Sequence, residues 1–260
     1  FISKMVEMPG LPPGVGHDYG ELLRRWRELD GSSGLIVRTL CEAGGHPVLA
    51  VESERAASGE PGGLYLSAGV HGDECAPVWA LLAWAEGASA ILRERPVVIL
   101  PCLNPVGLLW NTRLDGDGID LNRCFENGSH PVVGTWQGFL QGRRFETAIN
   151  LHEDYDASGI YLYELTRGES AGDALLAACE GIIPRERAGE IDGSPFANGL
   201  LVRSTEIEQV VAERLGGFPE AAYLFLKHAG TGYTFETPSE LDLTRRIAAH
   251  LAFLEAATAC

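Results

Sequence analysis

The run Gly63-Leu-Tyr-Leu-Ser-Ala-Gly-Val70, which leads directly into His71-Gly-Asp-Glu74, is the part of the sequence that indicates most about the fold. Its apolar residues predict a buried strand at Leu64–Val70. A helix is predicted behind the turn, from Ala76 to about Glu86, because Pro77 stands in its first turn, where proline is well tolerated. A buried strand followed at once by a helix is typical of α/β proteins.

The rest of the chain continues this alternation of strands and helices. Further strands are predicted at Gly34–Cys41, Pro47–Glu52, Val97–Leu103, Thr147–Leu151, Ile160–Leu165 and Tyr233–Glu236, of which the first two form a hairpin. Further helices are predicted at Tyr19–Leu29, Ser170–Cys179 and Glu240–Ala257. The pattern predicts one α/β domain over residues 1–260, with residues 1–16 as an extended N-terminal segment. Its twisted, mixed and mostly parallel sheet should carry helices on both faces.

Composition and charge restrict the kinds of partner. The 260 residues are 45% hydrophobic, enough for one full core, and carry a formal net charge of −16. Nucleic-acid binding needs clustered lysine and arginine, and a membrane span needs roughly 20 apolar residues in a row; the sequence has neither. We therefore expect no nucleic acid and no membrane as partner. The sequence leaves the oligomeric state open.

The six cysteines are scattered and include no closely spaced pair. In a chain long enough to bury a core, this pattern favours reduced thiols over a disulfide scaffold. We therefore expect a cytoplasmic location. The chain starts at Phe1 rather than at a methionine, so a removed signal sequence stays an alternative.

A second group of possible metal ligands lies far downstream, in Asn150-Leu-His152-Glu-Asp154, where another apolar stretch ends. Because His71 and Glu74 are three residues apart, a turn that leaves a strand can direct both side chains to one point. Two imidazoles and one carboxylate are the ligands of a catalytic zinc ion that keeps its fourth position for water. For each histidine alone, a structural role is the simpler interpretation. Both groups stand at predicted strand ends, where ligands collect in such sheets.

Three further segments complete a specific order along the chain. Asn111-Thr-Arg113 and Asp120-Leu-Asn122-Arg123 stand between the two groups of ligands, and Tyr233-Thr-Phe-Glu236-Thr-Pro238 follows them. From about Gly63 to Pro238 the chain thereby resembles the zinc carboxypeptidase superfamily, which includes aspartoacylases and succinylglutamate desuccinylases. It looks like a compact, bacterial-type member.

The resemblance implies a catalytic role for several side chains. One zinc ion per chain would be held by His71, Glu74 and His152. Glu236 would act as the general base. Arg113 would polarise the substrate carbonyl and stabilise the oxyanion.

The resemblance also implies how the substrate is held. Asn122 and Arg123 correspond to the pair that binds the free carboxylate of a substrate, a task that suits the fork-like guanidinium. Asp120 occupies the position that hydrogen-bonds a zinc-bound histidine, here His71. The implied activity is zinc-dependent hydrolysis of an amide bond next to a free carboxylate, as in a metallocarboxypeptidase acting on short peptides. Deacylation of an N-acyl amino acid is the alternative within the superfamily.

Two aspects of the site do not follow the pattern of the larger carboxypeptidases. Their mobile active-site tyrosine has Tyr223 as its nearest candidate here, but the surrounding sequence does not align with theirs. Glu153, Asp154 and Asp156 surround the third predicted ligand. They indicate either an acidic lining that would attract a basic substrate, or groups that are structural or solvated.

Two other classes of function stay open. Gly168-Glu-Ser170-Ala-Gly172 matches the nucleophile elbow of serine hydrolases, with His228 or His250 as the partner. Intervening residues separate the predicted strand from the serine and loosen the sharp turn that an elbow needs, so Ser170 is interpreted as part of a helix N-terminus. The third class is a zinc-containing binding module without catalysis, which would not need Glu236 together with Arg113.

Overall fold

The computed structural model describes residues 15–31, 34–187, 189–191, 194–204 and 206–259. The helices are Tyr19–Glu28 (α1), Glu54–Ala57 (α2), Cys75–Gly87 (α3), Ser89–Glu94 (α4), Pro105–Trp110 (α5), Pro131–Leu140 (α6), Gly172–Cys179 (α7), Ile207–Arg214 (α8), Glu220–Lys227 (α9) and Leu243–Thr258 (α10). The strands are Leu35–Ala43 (β1), His46–Ser53 (β2), Leu64–Ser67 (β3), Val97–Leu100 (β4), Phe145–Asp154 (β5), Tyr161–Thr166 (β6), Glu190–Ile191 (β7), Ser194–Pro195 (β8), Leu200–Arg203 (β9) and Ala229–Pro238 (β10). Short 3-10 turns lie at Val15–His17 and Leu121–Arg123.

Eight of the strands form one mixed sheet in the order β1-β2-β4-β3-β5-β10-β6-β9. Its four central strands, β4, β3, β5 and β10, run parallel to one another. The hairpin of β1 and β2 continues the sheet at one side, and β6 pairs antiparallel with β10 at the other. The predicted single α/β domain with a mixed, mostly parallel sheet is confirmed.

Alternate residues of the central strands face opposite layers of helices. Leu64 and Leu66 of β3 belong to one core cluster, which also contains residues of α1, α3, α7 and α10. Tyr65, between them, belongs to a second cluster, which residues of α6 and α9 share. Because side chains of a strand point alternately to its two faces, the centre of the sheet is buried on both sides, and β3 and β4 are apolar over nearly their whole length.

Strands β3 and β4 end three residues earlier than predicted, at Ser67 and Leu100. The residues that follow leave the sheet but stay bonded to each other. The Ala68 N–H donates to the Leu100 carbonyl at 3.1 Å, and the Asn104 N–H donates to the Gly69 carbonyl at 2.8 Å. The two segments therefore form a pair of loops at the carboxyl edge of the sheet, which is where ligands bind in open α/β sheets.

Strands β5 and β10 are longer than predicted, with ten residues each. They pair in parallel over their whole length, because both lie at the centre of the sheet and find partners on either side. Helix α10 begins at Leu243 rather than at Glu240. The Asp242 side chain accepts hydrogen bonds from the backbone of the first turn and so fixes this start.

The sequence analysis missed several elements, mostly short ones: helices α2, α4, α5, α6, α8 and α9, and strands β7, β8 and β9. Helices α5 and α6 begin with Pro105 and Pro131, after the capping side chains of Asn104 and His130. A proline in the first turn after a capping residue is a usable signal for a helix start. The missed elements matter because some of them, including α8, α9 and β9, line the cavity described below.

The predicted extended segment at residues 1–16 falls almost entirely outside the described residues. No helix in the described part of the chain is both long and apolar enough to cross a membrane. The five cysteines that the structure describes are free thiols.

Gly72 shows how tightly the loop after β3 is packed. A Cβ atom on this residue would lie 1.9 Å from the carbonyl carbon of Gly107 in α5. We expect Gly72→Ala to lower the free energy of unfolding by about 1–3 kcal/mol, as overpacking of a core does. Gly87→Ala is the control, because nothing lies within 4 Å of the Cβ added there. Equal stability of both variants in chemical denaturation would contradict this packing.

Candidate metal centre and active site

His71 and Glu74 lie on the loop that joins β3 to α3. Glu74 directly precedes the helix, but its side chain makes no capping hydrogen bond. Its carboxylate is directed instead toward the histidines, with Oε1 lying 2.5 Å from His71 Nδ1. Both side chains are buried, at 3% and 4% exposure. The spacing of three residues therefore brings both groups to one point, as the sequence suggested.

The third side chain, His152, comes from β5 near the carboxyl end of that strand. Its Nδ1 atom lies 2.9 Å from Glu74 Oε2, and its ring centroid lies 5.1 Å from that of His71. One ligand atom from each of these three buried residues lies within 4.8 Å of the other two. The group is compatible with one metal ion.

A cation would satisfy an otherwise poorly solvated carboxylate. Glu74 Oε2 is buried and has no hydrogen-bond partner among the described residues, although it lies close to His152 Nδ1. A buried acceptor without a donor is unfavourable by about 1–3 kcal/mol, and more when it is charged. The donor set, its burial and this unsatisfied oxygen all fit a bound metal.

Electrostatics hold protons in the group when no metal competes for it. Burial by itself lowers the pKa of His71, but the neighbouring carboxylates of Glu74 and Asp120 raise that pKa to about 9. For Glu74 the effects are reversed. Burial raises its pKa, but the two histidines hold that pKa well below its usual range. Metal binding must therefore displace protons from the imidazoles, so metal affinity should rise with pH.

Asp120 contacts His71 on the side that faces away from Glu74. Asp120 Oδ1 lies 3.3 Å from His71 Nε2, and Asp120 Oδ2 accepts a hydrogen bond from Arg113 Nε at 3.2 Å. Burial raises the pKa of Asp120, but His71 and Arg113 lower it far more. The Arg113 Nη1 atom is also 3.7 Å from Glu74 Oε1. The Asp120 carboxylate thus contacts both His71, a possible metal ligand, and Arg113.

Asn122 and Arg123 lie on the 3-10 turn directly after Asp120, whose side chain accepts the Asn122 N–H at 2.9 Å. Asn122 Oδ1 accepts a hydrogen bond from the backbone N–H of Glu220, at the start of α9, at 3.0 Å. Arg123 Nη1 donates to the Asn122 carbonyl at 3.0 Å. The Asn122 amide is therefore oriented by its oxygen, which leaves its NH₂ group as the donor.

Glu220, whose backbone holds the Asn122 side chain, was not identified by the sequence analysis. Its buried carboxylate accepts hydrogen bonds from the hydroxyl groups of Tyr65, at 2.5 Å, and Ser67, at 3.1 Å. Burial raises the pKa of Glu220. The residue lies on a helix that the sequence did not predict, so no signal connected it to the site.

Glu236 lies in the middle of the sheet on β10. It pairs in parallel register with His152 on β5 and in antiparallel register with Tyr161 on β6. Register partners project to the same face of a sheet, so the Glu236 carboxylate stands beside the His152 imidazole. With 9% exposure it is nearly buried.

A cavity of about 800 Å³ opens over these groups. Seven of the predicted site residues line it: His71, Glu74, Arg113, Asn122, Arg123, His152 and Glu236. Asp120 lies behind His71 and is not among the residues that line the cavity. The structure thus brings together side chains that lie up to 165 positions apart in the sequence.

Tyr223 is placed away from this cavity. It packs against Trp136 and His228, with ring centroids 5.4 and 5.6 Å apart, in the cluster on the opposite face of the sheet. It is therefore not a candidate for an active-site tyrosine. The tyrosines that do line the cavity are Tyr155, Tyr161 and Tyr163.

The acidic lining is only partly available to a substrate. Glu153 forms a buried ion pair with Arg246 Nη1 at 2.5 Å and accepts the Ala76 N–H at 3.0 Å. Its pKa is raised to about 7 by burial, which Arg246 only partly opposes. Glu153 thereby fixes the start of α3 next to Glu74. Asp154 accepts a hydrogen bond from the Tyr161 hydroxyl at 2.7 Å.

No serine triad is assembled around Ser170 in the described part of the chain. The Ser170 hydroxyl donates to the Glu164 carboxylate. This carboxylate also accepts the backbone N–H groups of Ala171 and Gly172. His228 Nδ1 contacts the Arg143 carbonyl, and His250 Nε2 contacts Thr237 Oγ1. Ser170 lies just before α7, as the N-terminal interpretation expected.

Comparison with known proteins agrees with this geometry. The model of the succinylglutamate desuccinylase/aspartoacylase catalytic domain matches residues 62–157. No curated protein matches the chain. Similar solved structures include candidate metallopeptidases from Shewanella baltica OS155 and Shewanella denitrificans OS217, both with a TM-score of 0.80. The first is 26% identical over 94% of this chain and 92% of its own, and the second 22% identical over 92% and 89%.

A more distant match is a metallo-carboxypeptidase from Burkholderia cenocepacia. It is 14% identical, with a TM-score of 0.64, over 91% of this chain and 68% of its own. The family match and these structures confirm the predicted resemblance to the zinc carboxypeptidase superfamily. The chain has the fold of that superfamily.

The buried His250 behind β10 makes the fold sensitive to acid. Burial and the nearby Arg246 lower its pKa to about 3. The unfolded chain binds a proton there below about pH 6.5, whereas the folded chain does not. The free energy of unfolding should therefore fall by up to roughly 1.4 kcal/mol per pH unit between about pH 6.5 and 3.

We expect His250→Leu to reduce this slope in denaturation of chelator-treated protein at a series of pH values. Leu254→Ala is the control, since it removes packing from the same helix without removing a titratable group. A His250→Leu slope equal to that of the unchanged protein would show that acid sensitivity arises elsewhere.

Proposed function

We propose that this protein is a zinc-dependent hydrolase that cleaves an amide bond next to a free carboxylate, most simply a metallocarboxypeptidase acting on short peptides. The observation that supports this best is the convergence of His71, Glu74 and His152 at one buried point, with Glu236 beside them on the neighbouring strand. The similarity to metallopeptidase and carboxypeptidase structures supports the same class.

Zinc suits the donor set, because two imidazoles and one carboxylate leave a coordination position for water. When bound, the ion would supply a Lewis acid for the substrate carbonyl and lower the pKa of water to about 7. His71, Glu74 and His152 would hold it. Asp120 would keep the His71 ring in place from the other side, as supporting carboxylates do in metal sites.

Glu236 is the proposed general base. Its nearly buried carboxylate stands beside His152, at the edge of the cavity where a scissile amide would lie. It would take a proton from the attacking water and later deliver a proton to the leaving amine. Such transfers contribute typically 10²–10⁴-fold to the rate.

Arg113 is the proposed stabiliser of the oxyanion. Its Nε atom is held by Asp120, and its Nη1 atom reaches to within 3.7 Å of the Glu74 carboxylate. The guanidinium is therefore positioned next to the metal ligands before a substrate arrives. A positive charge that is fixed where negative charge develops stabilises the transition state more than the ground state.

Asn122 and Arg123 are the proposed binding groups for the free carboxylate of the substrate. The Asn122 NH₂ group remains available because its oxygen is occupied by the Glu220 N–H. Arg123 adds a positive charge with several donors, the arrangement that favours a carboxylate. A free carboxylate held by these side chains, in the cavity that Glu236 also lines, would select the terminal amide bond of a peptide.

Deacylation of an N-acyl amino acid is the second candidate. It is favoured by the match of residues 62–157 to the succinylglutamate desuccinylase/aspartoacylase domain. Both reactions would use the same groups, since an N-acyl amino acid also has an amide bond next to a free carboxylate. Rates for a panel of dipeptides, blocked dipeptides and N-acyl amino acids, measured with zinc-loaded protein, would distinguish the two.

Replacing the proposed base tests the mechanism. We expect Glu236→Gln to lower kcat by roughly 10²–10⁴-fold while zinc content and Tm stay unchanged, because only proton transfer is lost. Glu240→Gln is the matched control, an exposed glutamate at the same cavity. A Glu236→Gln protein that turns over at the rate of the control would place the base elsewhere.

The carboxylate contact can be tested by a double-mutant cycle. Amidation of the substrate carboxylate should lower kcat/KM by roughly ten- to hundredfold, since hydrogen bonds between charged groups are worth about 1.5–3 kcal/mol. Arg123→Ala should cause a similar loss on the free acid and little further loss on the amide, because both changes remove one interaction. Equal hydrolysis of free and amidated substrates would rule out the exopeptidase function.

A further inference from the structure

Arg113 and Asp120 stand at the two ends of an irregular loop between α5 and the 3-10 turn that carries Asn122. Residues 111–119 of this loop are exposed, with the exception of Asp115. The two ends are joined by the hydrogen bond from Arg113 Nε to Asp120 Oδ2, at 3.2 Å. Both ends belong to the candidate site. A loop that is exposed over most of its length needs at least one firm contact to keep two such side chains in place.

The Asp115 side chain is the centre of this loop. Its Oδ1 atom accepts the backbone N–H groups of Asp117 and Ile119, at 2.9 and 2.8 Å. The backbone N–H of Asp115 donates to the Ile119 carbonyl at 3.0 Å, and its carbonyl accepts the Gly118 N–H at 3.1 Å. These bonds close a tight turn directly before Asp120. The conformation of the turn therefore depends on where the Asp115 carboxylate is held.

His130 holds this carboxylate from outside the loop. Its Nε2 atom lies 2.8 Å from Asp115 Oδ2. Its Nδ1 atom accepts the Val132 N–H at the start of α6, so the ring proton is on Nε2, which donates to Asp115. The His130 and Asp115 side chains are only 9% and 11% exposed. A hydrogen bond to a charged group that is shielded from water is one of the stronger contacts available to a loop.

Helix α6 gives His130 a fixed position. Trp136 of this helix is fully buried, and its Nε1 atom donates to the Tyr65 hydroxyl of β3 at 2.7 Å. Val133 of the same helix belongs to the core cluster that contains Tyr65. The Asp115–His130 contact therefore ties an exposed loop to the core of the domain.

We propose that His130 is a positioning residue, which acts through Asp115 to keep the loop in the conformation that the site needs. Its effect on turnover rests on the proposed hydrolysis, whereas its effect on the loop does not. Without this contact the loop would open more often, so Arg113 would leave the place where the oxyanion forms, and Asp120 would support His71 less well. Neither His130 nor Asp115 is among the residues that line the cavity, so both act only through the loop.

Two variants at position 130 separate this role from the capping of α6. His130→Asn keeps a side-chain acceptor for the helix start, since asparagine is among the best N-cap residues, but it is too short to reach Asp115. His130→Gln brings an amide N–H close to the position of Nε2 and can still donate to Asp115. A capping role alone would make His130→Gln the more damaging variant, whereas a positioning role makes His130→Asn the more damaging one.

Trypsin cleavage after Arg113 measures how often the loop opens, and it requires neither zinc nor a substrate. We expect this cleavage to be at least about tenfold faster in His130→Asn than in the unchanged protein, the effect of losing one hydrogen bond to a charged group. His130→Gln should be cleaved at nearly the rate of the unchanged protein. Leu251→Ala is the control for a general loss of stability, because it weakens the packing of α10 on the core, and it should leave this rate unchanged.

Zinc binding and turnover report on the two ends of the loop. Competition with a chelator should show zinc binding that is roughly tenfold weaker in His130→Asn, since loss of the group that supports a metal-bound histidine weakens binding by about 10–100-fold. For a dipeptide substrate, kcat of the zinc-loaded variant should fall at least about fivefold with little change in KM, because Arg113 would act in the transition state and Arg123 would hold the substrate carboxylate. A purely structural defect would not separate kcat from KM in this way.

A change on the other side of the contact provides a rescue. In Asp115→Asn an amide NH₂ group faces the His130 Nε2–H, so two donors meet, and cleavage after Arg113 should rise as it does in His130→Asn. The double variant Asp115→Asn/His130→Gln pairs two amides, one as donor and the other as acceptor, and should return toward the slow rate. Asp115→Asn also keeps the proposal testable if His130→Asn does not fold.

Equal cleavage of His130→Asn and the unchanged protein would overturn the proposal, and so would faster cleavage of His130→Gln than of His130→Asn. An unchanged kcat in His130→Asn would also overturn it, provided that the unchanged protein hydrolyses the dipeptide. If the unchanged protein hydrolyses no peptide but the cleavage and zinc results are as expected, the proposed reaction is wrong and the positioning role of His130 stands.

Discussion

The contact of the Glu74 carboxylate with two imidazoles is the interaction on which the site depends. It joins the loop after β3 to the end of β5, so one buried carboxylate connects two neighbouring strands. Its charge accounts for the raised pKa of both histidines and for its own lowered pKa. Three buried ionisable groups in contact are unfavourable unless protons or a metal ion compensate their charges, and the group is compatible with one such ion.

The surrounding structure holds this contact in place from several sides. The Glu153–Arg246 ion pair fixes the start of α3 through the Ala76 N–H. Asp120 steadies His71 and at the same time caps the turn that carries Asn122. A functional group acts reliably only when its own position is determined by packing and hydrogen bonds. Here the supporting polar groups are paired and at least half-buried, so little rearrangement is needed on binding.

Most of the candidate site could be predicted because it follows from local patterns. His71, His152 and Glu236 end or interrupt apolar strands, and a polar residue at such a position has few structural reasons to be there. The order of these residues then supplied their proposed roles. Strands β3 and β4 were also predictable, because strands that are buried on both faces form nearly continuous apolar runs.

The parts that could not be predicted depend on long-range contacts. For Glu153 the sequence left an acidic lining and a structural role open. Helix α10 brings Arg246 to it, and the sequence does not indicate which face of that helix points inward. Glu220 lies on α9, a short helix that was missed, and the two hydroxyl groups that donate to its carboxylate are 153 and 155 positions away. Strand β9, which lines the cavity, has only four residues and is too short to show a period. Each of these residues acquires its role only through the packing of elements distant in sequence.

Anomalous diffraction at the zinc absorption edge can show whether one zinc ion binds between His71, Glu74 and His152, as we propose. In crystals of the zinc-loaded protein we expect one strong peak, about 2.0–2.1 Å from both histidine Nδ1 atoms and about 2.0–2.2 Å from a Glu74 oxygen. Absence of a peak at this position, or a single peak elsewhere, would contradict this assignment.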